Sequence, residues 1–189
     1  GEAGVCLGAG ARLPVPGRQI IAGYNLFLDV TTNNCHKRLG TGAEIFHPRF
    51  SAHVNVYLPV STQHHGEEAV PGIDLTLGIP VPDVPFIIVW PGVYYYGGEV
   101  QTDVGGVALA LEIKPAKAVS VIAGWRSDAL EEGKNDTEIF AGLRITIPTK
   151  RTAEDLFRFD RGEYPVSVNT RLEHRVVREP FITFEHKEE

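Results

Sequence analysis

The sequence predicts an all-β protein, an antiparallel transmembrane β-barrel, and two observations support this prediction. Between residues 20 and 30, Leu26 and Leu28 share one phase with other apolar residues, whereas Asn25 and Asp29 lie in the opposite phase. Successive side chains of a strand point to opposite faces, so this stretch has one apolar side and one mostly polar side. The same alternation recurs along the chain, in stretches close to the roughly 9–11 residues that cross a bilayer as a tilted strand.

About nine strands are predicted, each an alternating stretch that ends at proline, glycine or polar residues. In chain order they span residues 5–13, 20–30, 38–45, 50–58, 73–79, 86–96, 107–114, 119–126 and 138–147. Ile21 and Phe27 are apolar exceptions within a polar phase. Pro91 interrupts the stretch 86–96, and we expect a bulge or a local break there because proline cannot donate to the ladder.

Short connections alternate with longer ones, as they do in outer-membrane barrels, which have short periplasmic turns and longer outside loops. We therefore assign the short turns to the periplasm, and these lie at Pro14, Pro48, Pro82 and Pro115. The longer polar loops are assigned to the exterior, and these lie near Asn33, His65, Glu99 and Glu131. The alternation gives the predicted barrel an orientation.

The last forty or so residues depart from the strand pattern. The predicted division is therefore barrel strands at 1–149 and a tail at 150–189. Within the tail, residues 152–159 could form about two helical turns, and residues 181–185 look extended. A polar tail that follows the last strand of a barrel either lies in the periplasm or fills the pore.

Composition excludes nucleic-acid binding and membrane-spanning helices. The formal net charge is -6 and no Lys/Arg stripe is present, so nucleic acid is not an expected partner. No apolar run approaches the ~18 residues of a membrane helix. The sequence contains no Met and no recognisable signal peptide, so we expect a processed form or an excised fragment.

Candidate sites for catalysis, nucleotides and metals are weak. No Ser/His/Asp or Cys/His arrangement stands out, so neither an enzyme nor a cofactor is expected. His64, His65, Glu67 and Glu68 have side chains that can bind metal, but they lie in a predicted exposed loop without fixed geometry, and no metal site is assigned. The glycine pairs of the first and third strands have no helix after them, which argues against a phosphate-binding loop.

Two groups of side chains leave alternatives open. Cys6 and Cys35 lie near the same predicted rim of adjacent strands, so they either form a disulfide or remain unpaired. Aromatic residues could form the girdle at the membrane interface or serve as ordinary sheet residues. These aromatic candidates are Trp90, Tyr94, Tyr96 and Trp125.

A series of short motifs runs through the chain and indicates a family. In order they read LGAGAR at 7–12, GYNLFLD at 23–29, HKRLGTGAE at 36–44, VNVYLP at 54–59, YYGGEV at 95–100, KNDT at 134–137 and a final run within 176–185. In this series the chain resembles the translocator domain of the intimin/invasin family, the inverse autotransporter β-barrel.

The resemblance implies a bacterial outer-membrane barrel of about twelve strands whose tail threads the lumen and carries a C-terminal passenger outward. The implied partners are outer-membrane lipid, the machinery that assembles such barrels and, through a passenger absent from this chain, a host-surface receptor. Roughly three family strands are expected before residue 1. Either those strands belong to the native protein or the barrel closes differently, because an open edge leaves unpaired backbone groups in lipid.

The polar phase is predicted to line the lumen. Its candidate lumen-facing residues are Arg12, Asn25, Asp29, Arg38, Glu44, Asn55, Asp74, Glu112, Arg126, Glu138 and Arg144. Charges of both signs there are explained either by hydration and mutual pairing or by a grip on the threaded tail. The tail residues predicted to lie in the lumen are Arg171, Glu173, Arg175 and Arg178.

Three functions are consistent with these patterns. The first is a translocator that anchors and exports a C-terminal, adhesin-type extracellular segment. The second is an outer-membrane channel or structural barrel with the tail as a plug. The third is a soluble β-barrel or sandwich that binds a ligand or a partner. It would bury the apolar phase, including Leu26, Val56, Leu109 and Leu143, in its interior.

Overall fold

Alternating residues build one large antiparallel sheet in the computed structural model, which describes residues 4–31, 36–60, 67–98, 103–116, 118–128, 137–145, 164–167, 176–177 and 184–186. The strands are β1 (Gly4–Pro14), β2 (Ile21–Thr31), β3 (Lys37–His47), β4 (Phe50–Pro59), β5 (Glu67–Ala69), β6 (Gly72–Val81), β7 (Val84–Tyr96), β8 (Val104–Ala116), β9 (Val119–Asp128), β10 (Thr137–Ile145) and β11 (Phe184–His186). Among the described residues, no helix is long and apolar enough to span a bilayer.

Nine strands pair in the order β1-β2-β3-β4-β6-β7-β8-β9-β10, and β5 pairs with β11 in a separate two-stranded sheet. Each predicted strand corresponds to one strand of the large sheet, which confirms the all-β prediction. Within the described part of the chain, β1 pairs with β2 and β10 pairs with β9, so these two strands form the margins of the sheet. The predicted helical turns at 152–159 lie outside the described residues.

The connections define two ends of the sheet. Strands β1, β3, β6 and β8 end at one side of the sheet, which we call the turn end. Strands β2, β4, β7 and β9 end at the opposite side, which we call the loop end. In the two-residue turn before β7, Asp83 has a φ of 67°, a left-handed conformation that tight hairpins require and that aspartate tolerates.

The apolar face of the sheet is exposed and the polar face is buried, which is the reverse of the arrangement in a soluble protein. Leu26, Leu109 and Leu143 are 43%, 40% and 68% exposed, whereas Arg38 and Asn25 are 0% and 1% exposed. A soluble β-sheet protein buries its apolar face and hydrates its polar one. The observed inversion is what a lipid-facing sheet needs, and it contradicts the soluble alternative.

Glycine and aromatic residues alternate across six strands of the polar face. The register aligns Gly8, Phe27, Gly40, Tyr57, Gly72 and Tyr96, on β1, β2, β3, β4, β6 and β7. At Gly8 and at Gly72, a Cβ would overlap the neighbouring aromatic ring. The glycines therefore provide the space that the rings fill, which explains why Phe27 can occupy a polar phase.

At Pro91 we expect a bulge or a local break in β7, and the structure has a break in one of the two ladders and no bulge. Strand β7 continues through Pro91 in unbroken register with β8, whereas its ladder with β6 has a gap there. Proline has no N–H to donate, so a missing bond toward β6 accounts for the gap without a bulge. The register shift occurs instead between Pro80 and Val81, beside the turn.

The aromatic candidates divide between the two faces. Trp90 and Tyr96 are buried on the polar face, at 9% and 4% exposed, and Tyr94 follows the same phase of β7. Trp125 lies on the apolar face and is 39% exposed. Of the four, the apolar wall therefore carries only Trp125.

Replacing Gly72 by alanine should lower the free energy of unfolding by about 1–3 kcal/mol, because the new methyl group would overlap the buried Tyr96 ring. The matched control is Gly40→Ala, where a Cβ would stand 3.5 Å from the Tyr57 ring, at an ordinary contact distance. That variant should be neutral or gain up to about 1 kcal/mol. Urea unfolding in detergent micelles measures both, and equal losses would contradict the role given to the glycine.

Candidate functional site

All eleven residues predicted to face a lumen lie on the same face of the sheet, the polar face. The register shows why: Arg12 aligns with Gly23, which aligns with Glu44, and aligned residues of antiparallel strands point to the same side. At the other margin of the sheet, Arg126 of β9 aligns with Glu138 of β10 in the same way. That this face lines an aqueous passage is part of the proposal below.

Burial on the polar face falls from β2–β8 toward β10. The residues that are less than 9% exposed are Asn25, Asp29, Arg38, Glu44, Asn55, Asp74 and Glu112. The Arg12 side chain is 9% exposed, while those of Arg126, Glu138 and Arg144 are 39%, 61% and 34% exposed. The charged side chains are therefore most deeply packed on the part of the large sheet between β2 and β8.

A buried network joins Asp29, Arg38, Tyr57, Asp74 and Asn55 across β2, β3, β4 and β6. The Arg38 guanidinium donates to Asp29 Oδ2 at 2.9 Å and lies 4.3 Å from the centroid of the Tyr57 ring. The Tyr57 hydroxyl and the Asn55 amide each donate to one oxygen of Asp74. A buried charge is costly unless it is paired, and this network supplies the partners.

At each margin of the sheet, an arginine pairs with a buried glutamate two strands away. Arg12 of β1 passes over Gly23 of β2 to reach Glu44 of β3, with distances of 2.5 and 3.1 Å between donor and acceptor atoms. A Cβ at Gly23 would overlap the Glu44 side chain, so glycine is needed there. Arg144 of β10 reaches Glu112 of β8 at 3.1 Å. These two ion pairs link each marginal strand to the second strand inward, β1 to β3 and β10 to β8.

Ser51 and His53 belong to the same cluster, and the sequence analysis missed them. His53 Nε2 lies 3.1 Å from Ser51 Oγ, and His53 Nδ1 lies 3.5 Å from Glu44 Oε2. The i, i+2 spacing on a strand is the signal that could have revealed them. The residue types are those of a hydrolase triad, but Ser51 is 1% exposed, and Glu44 already pairs with Arg12. A buried hydroxyl gives a substrate carbonyl no approach, so the arrangement fits packing.

Three described parts of the tail contact the sheet or its loops. At the turn end, Val166 N donates to the Pro48 carbonyl at 2.9 Å. On the polar face, Asn55 Nδ2 donates to the Val177 carbonyl at 3.0 Å. Beyond β4, in the connection at the loop end, β11 pairs antiparallel with β5. The four charged tail residues predicted to occupy the lumen lie outside the described residues.

The cysteine and metal predictions stay untested. Cys6 is exposed on β1 and aligns with Asp29, whereas Cys35 lies outside the described residues. His64 and His65 also lie outside them. In the described part of the chain, no group of three or more His, Cys, Asp and Glu side chains is arranged to hold a metal ion.

Replacing Glu44 by glutamine should lower the free energy of unfolding by about 3 kcal/mol, because Arg12 would keep a buried charge without its counter-ion. The matched control is Glu138→Gln, which breaks the Arg126 pair on a glutamate whose side chain is 61% exposed. That change should cost less than about 1 kcal/mol. Urea unfolding of the two variants gives the comparison, and similar losses would show that burial does not govern these pairs.

Comparisons with known proteins give the family. The model of the inverse autotransporter beta-domain matches residues 2–178. Curated protein sequences give no significant match. A solved structure described as "Unveiling the Mechanism Behind the in-meso Crystallization of Membrane Proteins" is similar with a TM-score of 0.82 at 20% identity, over 98% of this chain and 81% of that one. This similarity concerns the fold alone. With an apolar wall outside and charges within, the chain belongs to the inverse autotransporter β-domain family, transmembrane β-barrels of the Gram-negative outer membrane.

Proposed function

We propose that this translocator domain anchors and exports a C-terminal extracellular segment of the adhesin type, with residues 150–189 passing along the polar face. The observation that carries the proposal is the order of the three tail contacts. Val166 lies at the turn end, Val177 on the middle of the polar face and β11 at the loop end. The tail therefore advances from one end of the sheet to the other as the chain proceeds toward its C-terminus.

The direction of this path follows from the connections. Outer-membrane barrels have short turns in the periplasm and longer loops outside. On that orientation, Val166 lies near the periplasm, and β11 lies at the external surface. A segment that follows β11 would then emerge from the cell, which is the geometry that an anchored passenger needs.

The polar face supports such a path chemically. An extended segment outside the sheet has backbone donors and acceptors that must find partners within a membrane. Asn55 supplies one such partner for the Val177 carbonyl. At the loop end, β5 supplies others by pairing with β11, and in such strand addition the main-chain hydrogen bonds give the affinity. No catalytic residue is required for either contact.

The partners follow from the same proposal. The apolar wall contacts outer-membrane lipid, assembly would depend on the machinery for outer-membrane barrels, and a receptor would be bound by the passenger. The channel alternative shares this architecture but keeps the tail as a plug whose end does not emerge. Labelling of the tail in intact cells distinguishes the two.

A cysteine at position 188 should react with a membrane-impermeant maleimide in intact cells, because the proposed path places it outside. Ser167→Cys is the matched control, since Ser167 is exposed at the turn end and should react only after the outer membrane is permeabilised. Both are made with Cys6 and Cys35 replaced by serine. In intact cells, labelling at 167 but not at 188 would show that the tail runs in the opposite direction. Labelling at neither position would favour the alternative in which the tail plugs a channel.

Cysteines at positions 68 and 185 should form a disulfide on oxidation, because Glu68 and Glu185 are aligned partners of β5 and β11. The control pair is Glu67→Cys with Glu185→Cys, because Glu67 is aligned with His186 and is one residue out of register with Glu185. The cross-link is detected as a mobility shift in non-reducing gels. Equal cross-linking of the two pairs would contradict the β5–β11 register.

A further inference from the structure

The polar face contains an apolar patch that lies on the proposed path of the tail. It is built from one side of four consecutive strands, and its members are Ile88 and Trp90 on β7, Ala110 on β8, Ile122 on β9 and Phe140 on β10. We call these five residues the apolar stripe. Charged side chains lie beside it, since Glu112 accepts a hydrogen bond from Trp90 and pairs with Arg144 and Lys114.

Val177 of the tail packs against this stripe. Its carbonyl at the same time accepts the hydrogen bond from Asn55 Nδ2, on the other side of the polar face. One tail residue is thus held by two contacts of different chemistry. The backbone contact is available to any residue, whereas the side-chain contact requires an apolar group.

Both contacts are made by side chains that other residues hold in place. Asn55 Nδ2 also donates to Asp74 Oδ1 at 2.8 Å. Trp90 Nε1 donates to Glu112 Oε2 at 2.9 Å, and Arg144 pairs with the other oxygen of the same carboxylate at 3.1 Å. The site is therefore pre-formed, because neither the amide nor the indole can reorient without losing a buried hydrogen bond.

We infer that the apolar stripe and Asn55 form a binding site for one branched aliphatic residue of an extended polypeptide, and that Val177 occupies it to fix the register of the tail. This inference rests on the proposed path of the tail. The site sets which residue lies at mid-passage and hence how much chain emerges at the loop end. Burying an aliphatic side chain contributes enough free energy to bias a single register by about tenfold or more.

Val176 provides a matched control within the chain. Adjacent residues of an extended segment point in opposite directions. Among the described residues, those that pack against the stripe include Val177 and not Val176. The same substitution at the two positions therefore changes the hydrophobicity of the tail equally and affects the proposed site only in one case.

The test compares Val177→Asp with Val176→Asp in the full chain, reconstituted in planar lipid bilayers. A carboxylate cannot occupy the stripe, so Val177→Asp should raise the frequency of channel openings at least about tenfold over the unsubstituted chain, whereas Val176→Asp should leave it nearly unchanged. Val177→Thr, which has almost the same shape, should give an intermediate increase. Equal opening frequencies in the two aspartate variants would overturn the inference.

Tryptophan fluorescence gives a second readout that does not depend on conductance. In a Trp125→Phe background, Trp90 is the remaining tryptophan, because the sequence contains two. Its emission should shift to longer wavelength in Val177→Asp and not in Val176→Asp. Normal external labelling at position 188 with no shift in either variant would refute the binding site and leave the proposed function standing. Absent labelling at 188 would instead refute the path.

Discussion

The pairing of charges on the inner side of the sheet is the constraint on which the rest of the structure depends. A sheet whose outer wall is apolar must place its polar phase inward, where hydration is restricted and unpaired charge is costly. Arg38 illustrates the solution, since it is 0% exposed yet contacts Asp29 and the Tyr57 ring. The paired groups hold one another in place within several separate clusters on the polar face.

The size of the side chains on this face matters as much as their charge. Where a ring or carboxylate leans across a neighbouring strand, that strand carries glycine, as at Gly72 beneath Tyr96 and at Gly23 beneath Glu44. The glycines therefore let side chains bridge strands that are not adjacent. The Arg12–Glu44 pair spans β1 to β3, and a Cβ at Gly23 would force the Glu44 side chain to shift.

The sequence was sufficient to predict the strands and which residues share a face, because alternation with period two is a local property. It could not reveal the partners across the sheet: Arg12 and Glu44 are 32 residues apart, and only the register brings them together. Ser51 and His53 were missed because they resembled ordinary polar-phase residues. Of the two outcomes expected at Pro91, the local break occurs and the bulge does not, because an N–H can be omitted on one side of a strand while the other ladder continues. Trp90 shares the phase of Ile88 on β7, and both are buried, so of its two open interpretations the ordinary sheet residue fits the structure.

The pairing of β5 with β11 has a mechanical consequence under the proposed path. Tension on the proposed external segment would reach the exit of the proposed path first, where three aligned residue pairs resist it together. Only after that short ladder yields would the pull reach the deeper residues of the tail. The β5–β11 ladder would thus carry an external load before the deeper contacts of the tail do.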